Sequence, residues 1–461
     1  MQRILAIATL TWKAAFRFRL FIVLTVLLLG SVVALPLLIK DDGTARGFTQ
    51  ILLTYTLSTI TALLGLSTLW LACGTLARDI EECQMQVVAV KPIARWQIWL
   101  GKWLGLVSLN AALLAIAGAG VYGLLQWRAG RLPPKEQQVL RNEVLVSRGS
   151  VRLPNFDKEI DAETEQLLRE RLEKNPTDSV NLTEVRKQIR EQVKSQYQIV
   201  PSGHPRPWQL DLGSARYKLA GKPLQLRIKF NTADGTATGT YPGFWRVGVP
   251  GKTRLYQSEM QSLAPETFHE LTLPPNLYDD DGVITVAFVN ASNTTLLFPI
   301  EDGIELLYPE GGFTLNFIRG MGIIFCWMAL LAALGLAAAS LLSFPVAAFF
   351  ALGVLTMVLA SGTMANAVSE GTIANYNAEK GTKGSSIADP IAIPAFKTTL
   401  WIIALAKDFS PIDSLSTGRS VSWQQLGMAV GQIIVVLGGL LALLGITIFT
   451  RRELATAQGT Q

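Results

Sequence analysis

Charge is scarce in this sequence. Of 461 residues, 16% are Asp, Glu, Lys or Arg and 49% are hydrophobic, and mean hydropathy is +0.32. A water-soluble domain carries about 25% charged residues, so the balance excludes an ordinary soluble protein and points to the membrane. Histidine is scarcer still. His204 and His269 stand far apart without neighbouring cysteines or carboxylates, so the clustered ligands of a zinc site are missing and no metal is expected. None of the three cysteines (Cys73, Cys83, Cys326) falls in the long hydrophilic stretch, which is therefore not a disulfide scaffold. The phosphate-cradling G-x-x-x-x-G-K-[ST] is absent, and "EKGTKGSS" (Glu379–Ser386) is only superficially similar. ATP is not bound by that route, and no cofactor is expected on this chain. The apolar stretches hold no Asp or Glu that suggests a proton relay, which counts against an ion-coupled carrier. The net charge of +6, with a pI near 9.2, is the kind of excess that sits in cytoplasmic loops, so it argues poorly for nucleic acid.

Long apolar runs are what the sequence has in plenty. A helix needs about 20 mostly apolar residues to cross the hydrocarbon. Six runs are read as spans: Leu20–Ile39, Ile51–Leu76, Ile98–Leu125, Phe317–Leu342, Pro345–Ser361 (continuing through small residues to about Ala367) and Trp423–Thr450. The first lacks a cleavage pattern and reads as a retained anchor. "AFKTTLWIIALAKDF" (Ala395–Phe409) has an apolar run of about 13 residues, with Lys at both ends. That length predicts an interfacial or re-entrant helix inside an outer loop at about 368–420. Arg3, Lys13, Arg17 and Arg19 precede the first span, Arg78, Lys91, Arg95 and Lys102 separate the second and third, and Arg451 and Arg452 follow the sixth. Six crossings put all three basic groups on one side, the cytoplasm, together with both termini. A seventh crossing would strand Arg451 and Arg452 outside.

The expected fold is therefore an α-helical polytopic membrane protein with six transmembrane helices and an α+β extracytoplasmic domain. Residues 1–127 carry spans one to three, 128–316 form the outer domain, and 317–461 carry spans four to six. "DKEIDAETEQLLRERLEK" ends at Asn175–Pro176, and a second helix opens at Asn181 with Glu184 placed to close a capping box. Together they predict a helical hairpin over about 157–198, with its charges on a solvated face. "LQLRIKF", "FWRVGV", "FHELTLP", "GVITVAFVN" and "GIELLYP" alternate in polarity between turn residues, which predicts an antiparallel β-sandwich over about 208–310. "GHPRPW" (Gly203–Trp208) reads as a rigid linker into it. "YDDDG" (Tyr278–Gly282) lacks calcium-loop spacing and reads as a turn.

Inside the spans, Thr59, Asn110 and Gln432 are candidates to line a pathway. The plainer reading of each is a helix–helix hydrogen bond worth about 0.6–2 kcal/mol. The loop Arg78–Lys102 is built with more care. Arg78, Asp79, Glu81 and Glu82 form a charged start, and Val87, Val88 and Val90 form an apolar side. Lys91–Pro92 interrupts the helix, because proline lacks an N–H and disfavours helical geometry just before it. A second helix resumes from Ile93 into span three. Trp96, Trp99 and Trp103 are spaced to share a face, as an aromatic anchor at headgroup level does.

"RDIEECQMQVVAVKPIARWQIWLGKWLG" resembles the first cytoplasmic loop of type-2 ABC exporter permeases, with Pro92, Ile93, Arg95, Gly101 and Lys102 at matching positions. Ala94 replaces the usual serine, and Cys83–Gln84 stands where Gly–Thr is common. "FSPIDSLSTG" (Phe409–Gly418) resembles that family's outer Ser–Pro segment, and "IFTRRELA" (Ile448–Ala455) its Phe–x–Arg–Arg–Glu ending. "FPIEDGIELLYPEGGF" and "LLSFPVAAF" look like a subgroup of large bacterial permeases with an inserted outer domain. The resemblance implies a permease subunit in a bacterial cytoplasmic membrane, without an ATPase site of its own. It also implies a separate nucleotide-binding ATPase subunit carrying ATP and Mg, and a second permease chain, identical or related. A coupling helix at about 79–95 would then contact the ATPase. Its interface residues would be Arg78, Asp79, Glu81, Glu82, Val87, Val88, Lys91, Pro92, Arg95, Gly101 and Lys102. The chain would couple ATP hydrolysis to substrate movement or to mechanical signalling across the membrane, its outer domain receiving substrate or transmitting motion to an envelope partner. The alternative is a membrane-anchored sensor or adhesin whose sandwich binds glycan or protein without transport. A polytopic membrane enzyme lacks the His, Asp and Glu clusters it would need.

Overall fold

With no water in the hydrocarbon, backbone N–H and C=O groups must pair within a segment, so apolar runs become helices. The computed structural model describes residues 2–17, 19–38, 44–82, 85, 93–140, 144–174, 182–232, 239–373, 388–407 and 409–452. It divides into a helical unit (Met1–Val146 with Gly312–Gln461) and a second unit (Ser147–Gly311). In the helical unit, α1 is Gln2–Ala15, α2 Arg19–Leu38, α3 Ala45–Glu81, α4 Arg95–Ala129 and the short α5 Pro134–Val139. After the second unit come α8 Phe313–Leu341, α9 Phe344–Leu359, α10 Ser361–Glu370, α11 Asp389–Lys407 and α12 Pro411–Ser416. A last helix, α13, runs over Trp423–Arg451. Its middle turns, Val430–Gly438, are π-helical.

Among the described residues six helices are long and apolar enough to cross a membrane, or seven if one bent pair counts as a span. The set differs from the expected six in two places. The fifth run is not one helix: α9 and α10 meet at an angle of 58°. The run expected to be about 13 residues is a helix of 19, with Pro394 inside it. Its C-terminal end enters the bundle. The Phe409 carbonyl accepts from Trp327 Nε1 at 3.2 Å, and Trp327 lies midway along α8, about 21 Å from its start at 1.5 Å per residue. From there α12 turns back: Leu415 packs on Gly320, and Asn316 Nδ2 donates to the Arg419 carbonyl at 2.7 Å. The chain between α11 and α13 therefore reverses at mid-height of α8.

Helix ends are capped from elsewhere in the chain. At the start of α3 the Thr44 hydroxyl accepts from Gly47 N–H at 3.1 Å, and Glu136 of α5 accepts from Ala45 N–H at 2.7 Å. One helix was not expected at all. α1 precedes the first span and lies along α4, turning Ile4, Ile7, Ala8, Thr11 and Ala15 inward. Gly101 and Gly105, one turn apart, form its seat. A Cβ on Gly101 would stand 2.7 Å from the Ile7 Cβ, and one on Gly105 would stand 2.7 Å from the Thr11 Cβ and 2.9 Å from the Ala8 carbonyl.

In the second unit, α6 (Asp157–Lys174) and α7 (Leu182–Gln198) form the expected hairpin. Ile160 and Leu168 meet Val185, Ile189 and Val193, and Arg190 bridges to Asp157 and Asp161. The Asn175–Pro176 turn and Asn181 lie outside the described residues. All five expected strand motifs are strands. β1 (Val146–Arg152), β12 (Ile304–Gly312), β4 (Leu224–Ile228) and β9 (His269–Leu273) form one sheet, in that order. A second sheet runs β3 (Pro205–Asp211), β10 (Val283–Asn290), β6 (Tyr241–Val247) and β7 (Tyr256–Gln257), with β8 (Gln261–Leu263) also on β6. β2 (Ile199–Val200), β11 (Leu296–Leu297) and β5 (Asn231–Thr232) make a small third sheet. The core is aromatic: Trp245 and Phe288 lie 4.8 Å apart and Phe288 and Phe298 5.2 Å apart. The expected rigid linker is instead β3, whose Pro205 and Pro207 pair with Val289 and Ala287. Two prolines are tolerated because β3 is an edge strand, and residues two apart turn their missing N–H groups to the same side.

The α1 seat gives a sign test. Ala is the better helix former by up to about 1 kcal/mol, yet Gly105→Ala is expected to lose more than about 1 kcal/mol through overpacking. Gly123→Ala, where a Cβ meets nothing within 4 Å, is expected to be neutral or stabilising. Thermal unfolding of the purified chain and proteolysis ahead of residue 17 measure both.

Candidate functional site

α3 has 37 residues and α4 has 35, about 55 and 52 Å at 1.5 Å per residue, against roughly 30 Å of hydrocarbon. Both project well beyond what a bilayer needs. The end of α3 and the start of α4 bring the charged residues flanking the loop to one end of the helical unit.

Their side chains reach neighbouring helix ends. Glu81 accepts from the Phe344 N–H at 2.7 Å, at the first residue of α9. Arg78 lies 4.3 Å over the Phe344 ring. Lys102, only 6% exposed, donates to Asp79 Oδ2 at 2.5 Å and to the Thr75 carbonyl at 2.7 Å. Arg95 donates through Nη1 to the carbonyls of Phe449 (2.9 Å), Thr450 (2.9 Å) and Arg452 (2.7 Å). Arg452 in turn donates to Ser340 at 3.0 Å and Ala339 at 3.4 Å, at the end of α8. Two arginines thus sit on helix C-termini and a carboxylate sits on an N-terminus. Those are the pairings the orphan backbone groups and the helix dipole favour.

Gly101 lies on the α1 seat, and Glu82 ends α3 as an exposed residue. Val87, Val88, Lys91 and Pro92 lie outside the described residues. Met85, which is described, is 3% exposed. The tryptophans do not share a headgroup-level face. Trp96 is 45% exposed, but Trp99 is fully buried against Gly445, and Trp103 donates to the Ala329 carbonyl at 3.0 Å. Trp99 helps join α4 to α13.

The three polar residues expected along a pathway are not brought together. The Thr68 hydroxyl lies 2.6 Å from the Leu64 carbonyl and 2.9 Å from Asn110 Oδ1. A hydroxyl has one hydrogen, so the bond with Asn110 is complete when its amide turns NH2 toward Thr68. Thr59 sits half-buried on α3, nine residues or about 13 Å from Thr68 along the helix. Gln432 is half-buried in the π turns of α13, and among the described residues no hydrogen bond joins it to Thr59 or Asn110. Among the described residues no three His, Cys, Asp or Glu side chains cluster to hold a metal. Asp279 of the acidic turn instead accepts from Val283 N–H (2.8 Å) and Asp281 N–H (3.1 Å) and pairs with Lys252 at 3.1 Å.

Arg319 was overlooked in the sequence. It lies six residues into α8 and is 9% exposed, with its guanidinium 5.5 Å from the Trp423 ring. A lone arginine inside an apolar run was the signal that marked it.

Fold and site define a class: a membrane protein with several apolar helices of spanning length and a separate antiparallel β domain. No protein family, curated protein or solved structure matches the chain.

Two tests follow from these contacts. Asp79→Asn leaves Lys102 enclosed without its counter-charge and is expected to cost about 2–3 kcal/mol, less than a fully enclosed pair because the Asp79 side chain is 33% exposed. Adding Lys102→Met should cost little more in thermal unfolding, whereas additive losses would show that the two act separately. Val283 N–H and Lys252 hold the Asp279 carboxyl below its ordinary range. A lowered folded value stabilises fully above the ordinary range and is lost as pH falls through the lowered one. Asp279→Asn should therefore weaken the β unit at neutral pH, with the deficit beginning to shrink below about pH 4 and closing only once pH falls below the lowered folded value. Hydrogen exchange of the peptides covering 278–290 reads this.

Proposed function

We propose that the chain is the permease subunit of an ATP-driven type-2 ABC transporter, working as an exporter in a bacterial cytoplasmic membrane. A separate nucleotide-binding subunit hydrolyses ATP, and this chain carries no ATPase site of its own. The observation that carries the reading is the bracing around the loop between α3 and α4. Arg95, Arg452, Lys102 and Glu81 tie the loop's flanks to the ends of α3, α8, α9 and α13. A push on the loop is thereby passed to several helices at once. The lengths of α3 and α4 let their described ends project beyond the hydrocarbon, within reach of a soluble partner.

In this reading Val87 and Val88 supply the apolar contact with the ATPase, Lys91 and Pro92 set the angle into α4, and Arg95 transmits the load. We read α11 with α12 as a re-entrant hairpin, which the reversal at Phe409 supports, so that six crossings put both termini in the cytoplasm. The apolar windows of α2, α11 and α13 are only 22%, 6% and 22% buried within the chain. Lipid and a second permease chain are the partners for those faces. The β unit then lies outside the cytoplasm, as receiver of substrate or contact for an envelope partner.

Co-expression with a candidate ATPase tests the reading. We expect the two to co-purify, and Val87→Glu with Val88→Glu to lower ATPase recovery at least about tenfold, as burying two unpaired charges at an interface would. A chain that purifies alone, with no effect of these changes or of Arg95→Ala on its role, would instead favour a sensor or adhesin.

A further inference from the structure

Arg319 occupies an unusual position for a cation. α8 has 29 residues, or about 43 Å against roughly 30 Å of hydrocarbon, so a centred α8 projects about 6–7 Å at each end. The Arg319 Cα, about 9 Å from the start of α8, then lies just inside the hydrocarbon. Helical side chains lean toward the N-terminus, so the guanidinium lies back at headgroup level. Among the described residues, of its five N–H groups only Nε–H meets a protein acceptor, the Leu315 carbonyl at 3.3 Å. Among the described residues no carboxylate pairs with it.

Its surroundings are positive as well. Trp423, whose ring lies beside the guanidinium, is the first residue of α13. Ser422 caps that end by accepting from Gln425 N–H at 3.0 Å, which leaves the N–H groups of Trp423 and Gln424 directed outward. The start of α8 has Gly312 as its cap residue, with no side-chain bond. Asn316 fixes the two ends together, donating to Arg419 O and accepting from Val421 N–H at 2.7 Å. Two helix N-termini thus lie near a nine-tenths-buried arginine that no carboxylate pairs with among the described residues. Each favours an anion there.

We infer that Arg319, framed by Trp423 and the N-termini of α8 and α13, binds the phosphate of a phospholipid headgroup in the leaflet at the Phe313 end of α8. Trp423 is 64% exposed, so an acyl chain can lie beside its ring while the phosphate meets the guanidinium in a charge-assisted pair. The inference rests on the chain crossing a membrane, not on its partnership with an ATPase.

The test uses the full chain in a phosphate-free detergent, titrated with dioleoyl phosphatidylglycerol, with the matching diacylglycerol and with inorganic phosphate, and followed by thermal unfolding. Phosphatidylglycerol should raise the unfolding temperature saturably. Arg319→Gln should weaken the apparent affinity about tenfold, as loss of one charge-assisted hydrogen bond does. Arg319→Lys should fall between, and Arg254→Gln, an exposed site in the β unit, should match wild type. If Arg319→Gln elutes as aggregate, Trp423→Leu replaces it, with weakened binding expected. An unchanged affinity in Arg319→Gln or its replacement, or an equal shift with diacylglycerol, would overturn the inference. A shift with inorganic phosphate that depends on Arg319 would overturn the lipid as occupant. No ATPase enters the assay, so its failure and failure of the permease reading are separate outcomes.

Discussion

The carbonyls at the end of the last helix have no partner within their own helix, and the guanidinium of Arg95 reaches those of Phe449, Thr450 and Arg452. Much else at that end follows from this contact. With its carbonyl held, Arg452 is positioned to cap α8, and the entry of α4 is locked to the exit of α13. Glu81 extends the same logic to the N-terminus of α9, and Lys102 ties α4 to the last turns of α3 through Asp79 and the Thr75 carbonyl. The helices flanking the loop are therefore poorly placed to move one at a time.

The long apolar helices were legible because the hydrocarbon demands something one-dimensional: enough apolar residues in a row. Five strands were legible for a similar reason, since "GVITVAFVN" alternates through a buried face at Ile284, Val286, Phe288 and Asn290. Legibility failed where the deciding contact was distant. Arg95 and Lys102 read as loop chemistry because Phe449 lies 354 residues from Arg95 and no local pattern reveals it. Trp99 read as a headgroup anchor because spacing gives a face but not what covers it. β3 read as a linker because two prolines argue against a strand unless it is known to be an edge. α11 was read too short because Pro390 and Pro394 mask its first turns. α1 escapes a sequence reading because its inward face mixes Ile4 and Ile7 with small or polar Ala8, Thr11 and Ala15, and its basic residues serve first as an orientation signal.

The two units solve burial differently. The β unit packs Trp208, Trp245, Phe230, Phe288 and Phe298 into one aromatic cluster, so its stability comes from area removed from water. In the helical unit apolar burial discriminates little, because lipid is as apolar as the core. Specificity there falls to small residues that let helices approach and to polar contacts such as Thr68 with Asn110. Sequence patterns report the first kind of burial far better than the second.

The seat of α1 has a consequence for the order in which the protein is made. α1 leaves the ribosome before its groove, since Gly101 and Gly105 emerge about ninety residues later, after the apolar helices α2 and α3. At the usual 5–20 residues per second, α1 waits several seconds without its partner. Its outward face carries Leu5, Leu10 and Phe16 between Arg3, Lys13 and Arg17, a composition that rests on a lipid surface. A lipid surface therefore suits α1 during the interval before α4 arrives.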